Sequence, residues 1–173
     1  MSTPSERKLV TFLRKLQNGG LDGNPLSYIQ KIYSDRPHSA AGRTTFPRVQ
    51  VKELGAISNF SGIGATDRIY EVNLEVTVYV DMKSPLDYAT VSGFWAAPDG
   101  TTRNLSPEEA VGAIAYHISK ELAENKATLH TDNSHKFLLR GNASFNDKGV
   151  DNTYFSDLSV YKGSITFNFF LRD

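Results

Sequence analysis

The most regular pattern in the chain is the stretch Arg68–Asp81. Tyr70, Val72, Leu74, Val76, Val78 and Val80 occupy every second position, and Glu71, Asn73, Glu75 and Thr77 lie between them. Side chains of an extended chain alternate between two faces, so this period predicts a long strand. One face meets a core and the other meets water or a partner. Phe46–Leu54 predicts a second strand, with Pro47 at its start, where a missing amide donor is tolerated. Near the C-terminus, Ile165, Phe167, Phe169 and Leu171 share one face of a strand over Ser164–Arg172. Ending on that strand implies a C-terminus woven into the sheet, so truncation should harm folding. Phe137, Leu139, Gly141, Ala143 and Phe145 read as the inner face of another strand. Tyr154–Lys162 supplies a further short one, and Gly163 turns or kinks the chain.

Two stretches follow the helical period instead. Leu9, Phe12, Leu13 and Leu16 form a stripe behind Ser5, read as the cap, and Asn18-Gly19-Gly20 ends that helix. The stripe either docks on a neighbouring subunit or covers the chain's own sheet. The second helix begins at Ser106-Pro107-Glu108-Glu109, a capping box with proline at the first helical position. Val111, Ile114, Ala115, Ile118 and Leu122 give it an apolar face, and His117 reads as a surface or boundary residue. The elements together predict an α+β fold in a single domain, 1–173. Its N-terminal helix and one long central helix pack on a mainly antiparallel sheet.

The connecting stretches carry the candidate chemistry. After Pro25, Ser27–Tyr33 reads as a short helix or a short strand. Arg36, His38 and Arg43 lie in a polar loop, as an anion site or as solvated charges. Gly55–Asp67 reads as a turn-rich connector. Its Gly62-Ile63-Gly64 lacks the third glycine and the following helix of a phosphate loop. In Met82–Thr102 the turn signals are Ser84–Tyr88 and Ala97–Thr101, and between them lie Val91, Phe94 and Trp95, the single tryptophan, as a core plug or as an anchor for a partner. His130, Asp132 and His135 sit in what reads as a loop, at a spacing that matches no rigid metal-ligand template. Asn146–Asn152 reads as a polar tip without the ligand spacing of a calcium loop.

Composition narrows the function classes. There are 19 Lys and Arg and 19 Asp and Glu, for a formal net charge of +0, so no dominant basic surface points to nucleic acid. Cysteine is absent, which removes disulfides, thiolate metal sites and cysteine nucleophiles. No signal-peptide core and no bilayer-length apolar run occurs, so the expectation is a soluble protein made in a cytoplasm. No G-x-S-x-G, H-E-x-x-H or P-loop pattern is present. The expectation is a protein that is not an enzyme, with no cofactor and no metal.

Pro47-Arg48-Val49-Gln50-Val51, then Gly62-Ile63-Gly64, then the alternating strand Tyr70–Val80 closed by an acidic residue, resemble the middle of tail terminator proteins. These are the tail completion, or head-tail joining, proteins of long-tailed bacterial and archaeal viruses. The order of elements matches from about residue 5 to residue 173. The resemblance implies a homo-oligomeric ring, a hexamer, that caps the tail tube and stops its growth. The ring then presents a surface to the head connector. It implies as partners the tail tube protein and a head completion protein, and a place at the head-proximal end of the tail. Nucleic acid would at most pass through the lumen, and no membrane is involved. The resemblance gives no residue a fixed chemical role. Candidate interface residues are Phe60, Ile63, Tyr88, Phe94, Trp95, Arg36 and Arg43, in the loops Ser34–Arg43, Gly55–Asp67 and Met82–Thr102. The alternatives are a head completion or connector component, or a monomeric ligand-binding module built on the Tyr88–Trp95 aromatics.

Overall fold

The computed structural model describes residues 2–34, 45–60, 68–83, 104–152 and 158–172, without the side chains of 58–60 and 142–144. In chain order the elements are α1 (Pro4–Gln17), a 3-10 turn (Leu21–Gly23), β1 (Lys31–Tyr33), β2 (Arg48–Phe60) and β3 (Arg68–Asp81). Then come α2 (Pro107–Glu124), α3 (Lys126–Asp132), β4 (Phe137–Val150) and β5 (Val160–Arg172). Among the described residues the strands form one sheet in the order β1-β2-β3-β5-β4. β1 runs parallel to β2, and the other pairings are antiparallel. The fold is α+β, as the periodicity predicts.

β3 has the predicted limits and the predicted faces. Val72, Leu74, Val76, Val78 and Val80 are buried. Their row continues sideways into Ile165, Phe167 and Phe169 of β5 and into Val49 and Val51 of β2. α1 lies over β1 and β2, and α2 lies over β3, β5 and β4. Leu9, Phe12, Leu13 and Leu16 of α1 and Val111, Ile114, Ile118 and Leu122 of α2 complete one core. The stripe of α1 therefore covers its own sheet. Phe169 is fully buried and stacks on Phe137 with ring centroids 4.4 Å apart.

Several local expectations change. Thr3, not Ser5, caps α1. Thr3 Oγ1 accepts from Glu6 N–H (3.2 Å), and Thr3 N–H donates to Glu6 Oε2 (2.8 Å). Glu6 Oε1 also accepts from the Glu53 amide (2.7 Å), and Ser5 Oγ donates to the Glu53 carboxylate. The helix start is thereby tied to β2 beside a register shift between Glu53 and Gly55. Ser106 caps α2 as expected, with the full capping box. After Pro25 come turns and then the three-residue β1, so the strand alternative holds at Lys31–Tyr33. Residues 55–60 continue β2 rather than opening a connector; Gly55–Phe60 pair with Asn73–Arg68. Residues 61–67 lie outside the described set.

Lys126–Asp132 is helix α3 where a loop was expected around His130 and Asp132. Asn146–Val150 belongs to β4 and is not a loop tip. β4 carries register shifts at Leu139/Gly141, Asn142/Phe145 and Asp147/Gly149. A bulge moves the following residues to the other face, so Gly141 opposes Asn168 instead of extending the Phe137–Leu139 row. Gly163 neither turns nor kinks the chain. It lies within β5, where an added Cβ would stand 2.8 Å from the Phe145 ring and 3.1 Å from Val111.

Phe169→Ala removes a fully buried ring from its stack on Phe137. The expected cost is about 3–5 kcal/mol of unfolding free energy. A denaturant titration followed by circular dichroism checks it, with the midpoint falling at unchanged slope.

Candidate functional site

Three regions of the described structure have the character of a site. The first is the outer edge of β2. β1 pairs only with Arg48–Gln50, and among the described residues no strand lies beside the outer side of 54–60. Leu54 and Ile57 are 54% and 63% exposed there. An edge strand offers a row of amide and carbonyl groups, and exposed apolar side chains beside it make a template for another strand. The opposite edge, β4, is interrupted by its three register shifts and so is blunted. On that side Val150 and Tyr116 are exposed, and Tyr116 rests on the Phe145 ring.

The second region is the sheet face away from the helices. Glu71, Asn73, Glu75 and Thr77 point to it, as the alternation predicts. Its charges compensate across strands. Arg140 reaches Glu71 at 3.2 Å and lies 4.3 Å from the Phe170 ring centroid; Lys148 reaches Glu75 at 2.9 Å. The Asn168 amide donates to Asn73 (2.8 Å) and to Glu71 (3.3 Å). At one end this face is closed. Thr77 and Ser164 are buried, and Tyr79, Val160, Phe46 and Leu158 form a small second core. Arg48 is buried there, with its guanidinium 5.1 Å from the Phe46 centroid and 5.8 Å from that of Tyr33, and its Nε donates to the Thr45 carbonyl. This arginine of the Pro-Arg pattern is a packed cation held against aromatic faces. The face as a whole suits packing against another polar, charge-balanced surface.

The third region is buried. His117 is 8% exposed, not a surface residue, because α2 is covered by the segment after α1 as well as by the sheet. Tyr28 stacks on it and its hydroxyl lies 2.8 Å from Nδ1. Burial, and secondarily the charge of Glu121, push the Tyr28 pKa far up, so the phenol keeps its proton and is able to donate. Nδ1 then accepts, and the neutral ring carries its proton on Nε2. Nε2 faces Glu121 Oε1 at 3.5 Å. Burial, and next the nearby Lys120, lower the His117 pKa, which keeps the ring neutral. Glu121 is 4% exposed. Burial first, then the hydrogen bond to Asp22 and the charges of Asp22 and Glu124, push its pKa up to about 7, while Lys120 pulls the other way. Ligand oxygens of Asp22, Glu121 and Glu124 lie within 4.8 Å of one another, the one such trio among the described residues. Below about pH 7 a proton on Glu121 relieves repulsion within the trio.

His130 is committed elsewhere. Its Nε2 accepts from the Leu139 amide at 2.9 Å, joining α3 to the start of β4, and burial is the main cause of its lowered pKa. His135 and Ser134 form the left-handed turn between those elements. Of the residues singled out from sequence, Arg36, Arg43, Ile63, Tyr88, Phe94 and Trp95, and the side chain of Phe60, are outside the described set. Sequence reasoning missed Leu54 and Ile57, because Gly55 and Ser58-Asn59 read as turn signals. It missed Tyr28 and Glu121 because only contact between distant segments reveals them. No protein-family model and no curated protein matches this chain.

Tyr28→Phe leaves the buried Nδ1 of His117 without its donor. The expected loss is about 1–3 kcal/mol of stability. Nitrogen NMR of the imidazole is the sharper check: the fixed Nε2–H tautomer of the wild type should become a mixture.

Proposed function

We propose that this chain is a virion structural protein, a tail terminator that closes into a ring on the end of a tail tube. It acts through interfaces and performs no chemistry. The observation that carries this reading is the β2 edge: an extended strand, open along 54–60 among the described residues, with Leu54 and Ile57 exposed beside it. A ring needs a head-to-tail contact between two different surfaces of one subunit. The β2 edge and the blunted β4 side, with Tyr116 and Val150 exposed, are two such surfaces at opposite ends of the sheet. The charge-compensated face between them then serves as a packing surface toward the tube or the lumen. The sequence resemblance supplies the specific role, with the tube protein on one side and a head connector on the other. A head completion component would use the same architecture, so the test must tell tube from head.

Negative-stain imaging of the purified protein, concentrated alone and then mixed with tail tubes of its virus, is that test. Rings alone, or caps at one tube end, are the expected result. Binding to heads and not to tubes would move the assignment to head completion, and a monomer that ignores both would overturn it. Ile57→Lys adds a charge at the edge. As a surface change it should alter monomer stability by no more than about 0.5 kcal/mol, yet it should abolish rings and caps. Thermal unfolding alongside imaging separates the two effects.

A further inference from the structure

The Leu21–Gly23 turn is built from unfavourable backbone conformations and held from outside. Asp22 and Asn24 have φ of 53° and 58°, the left-handed region that costs non-glycine residues energy. Gly20 and Gly23 on either side also have positive φ. Within the turn, Asn24 N–H donates to the Leu21 carbonyl (3.1 Å) and Gly20 N–H to Asn24 Oδ1 (2.7 Å). Beyond these, Leu21 packs against the core, Ser27 N–H donates to the Asn24 carbonyl (3.1 Å), and the Asp22 carboxylate meets the C-terminal end of α2 at Glu121. The groups that face Glu121 come from every neighbouring element: Asp22 from the turn, Tyr28 from the segment behind it, and His117, Lys120 and Glu124 from α2. Asn125, the cap of α2, donates to Glu121 Oε2 at 3.3 Å. Lys120 is also drawn to Glu124, 3.8 Å away.

With one proton on the Asp22–Glu121 pair, the two groups are an acid and a carboxylate joined by a hydrogen bond. Without it, three carboxylates crowd within 4.8 Å, Asp22 and Glu124 exposed and Glu121 buried. We propose that the Asp22–Glu121 pair is a proton-controlled latch that closes the 20–24 turn onto the end of α2 and releases it when the shared proton is lost. The sign follows from linkage. In the closed form Glu121 holds its proton up to about pH 7, against an ordinary value of 4.5 in the open form. The closed form therefore binds more protons between those values, and closure weakens as pH rises through them. His117 acts with the opposite sign. Its pKa is lowered in the closed form, so its contribution to opening appears on acidification. The direction of the response thus identifies the group.

Hydrogen exchange by mass spectrometry on the full chain, corrected for intrinsic rates, tests the latch at about pH 5.5 and about pH 8. In the wild type, protection of amides 20–28 should fall on the order of tenfold or more at the higher pH, while β3 amides keep theirs. Glu121→Gln retains a hydrogen-bonding amide in place of the protonated acid. Asp22→Asn, at the exposed turn, retains a residue that tolerates the left-handed conformation. Protection held at both pH values in either variant supports the latch. Equal protection of wild type at both pH values, the same loss in both variants, or loss on acidification instead would overturn it.

Discussion

The row Val72, Leu74, Val76, Val78, Val80 is the constraint on which the rest of the molecule depends. Burying one such side chain is worth about 1.5–3 kcal/mol, and a period of two means that all are buried together or none is. A register slip of one residue would send the whole row to the other face. β2 and β5 are paired to β3 along nearly its full length, so they inherit its sidedness. α1 and α2 can therefore dock on one face only. The other face is left to carry Glu71, Asn73 and Glu75, and its cross-strand pairs with Arg140, Lys148 and Asn168 follow from that exclusion.

What was legible in the sequence was what depends on near neighbours. The limits of β3 and the start of α2 are encoded within a few residues, by alternation and by the Ser106–Glu109 box. Elements that depend on a distant partner were not legible. Gly55 and Ser58-Asn59 look like a turn, yet thirteen residues of β2 stay extended because β3 pairs with them to Phe60. The bulges of β4 reverse its faces at positions that only the register with β5 defines. The cap of α1 moved to Thr3 because Glu6 serves both the helix start and the Glu53 amide. His117 falls within the helical stripe of α2, three positions after Ile114, but the stripe alone cannot say that Tyr28 will cover it.

The two sheet edges differ in a way that bears on assembly. β4 carries Arg140 and Lys148 and breaks its ladder three times, devices that discourage further pairing. β2 breaks its ladder once, at Leu54 between Glu53 and Gly55, carries no charge from Leu54 to Phe60, and has two exposed aliphatic side chains. A chain with net charge +0 has little long-range repulsion to keep such edges apart. An apolar edge with no neighbouring strand among the described residues is tolerable on a nearly neutral protein where the edge has an occupant, and that is the physical ground for reading this side as an interface.

The buried network connects to that edge through the chain itself. Tyr28, held on His117, is followed by Ile29 in the core and by Gln30, whose amide donates to the Pro47 carbonyl at 2.8 Å. β1 begins at the next residue and pairs with Arg48–Gln50, the first residues of β2. The short parallel strand that covers β2 is thus anchored by the segment packed on α2 on one side and by Arg14, which donates to the Ile32 carbonyl, on the other. Beyond β1, Ser5 and Glu6 of α1 bond Glu53, and from Leu54 on no strand lies beside that side of β2 among the described residues. The buried Glu121 carboxylate beside the exposed Asp22 is a poor stabiliser when both are ionised, since burial opposes the charge on Glu121 and the two like charges repel. It stands at the root of the segment that leads, through the buried Leu26 and Ile29, to β1.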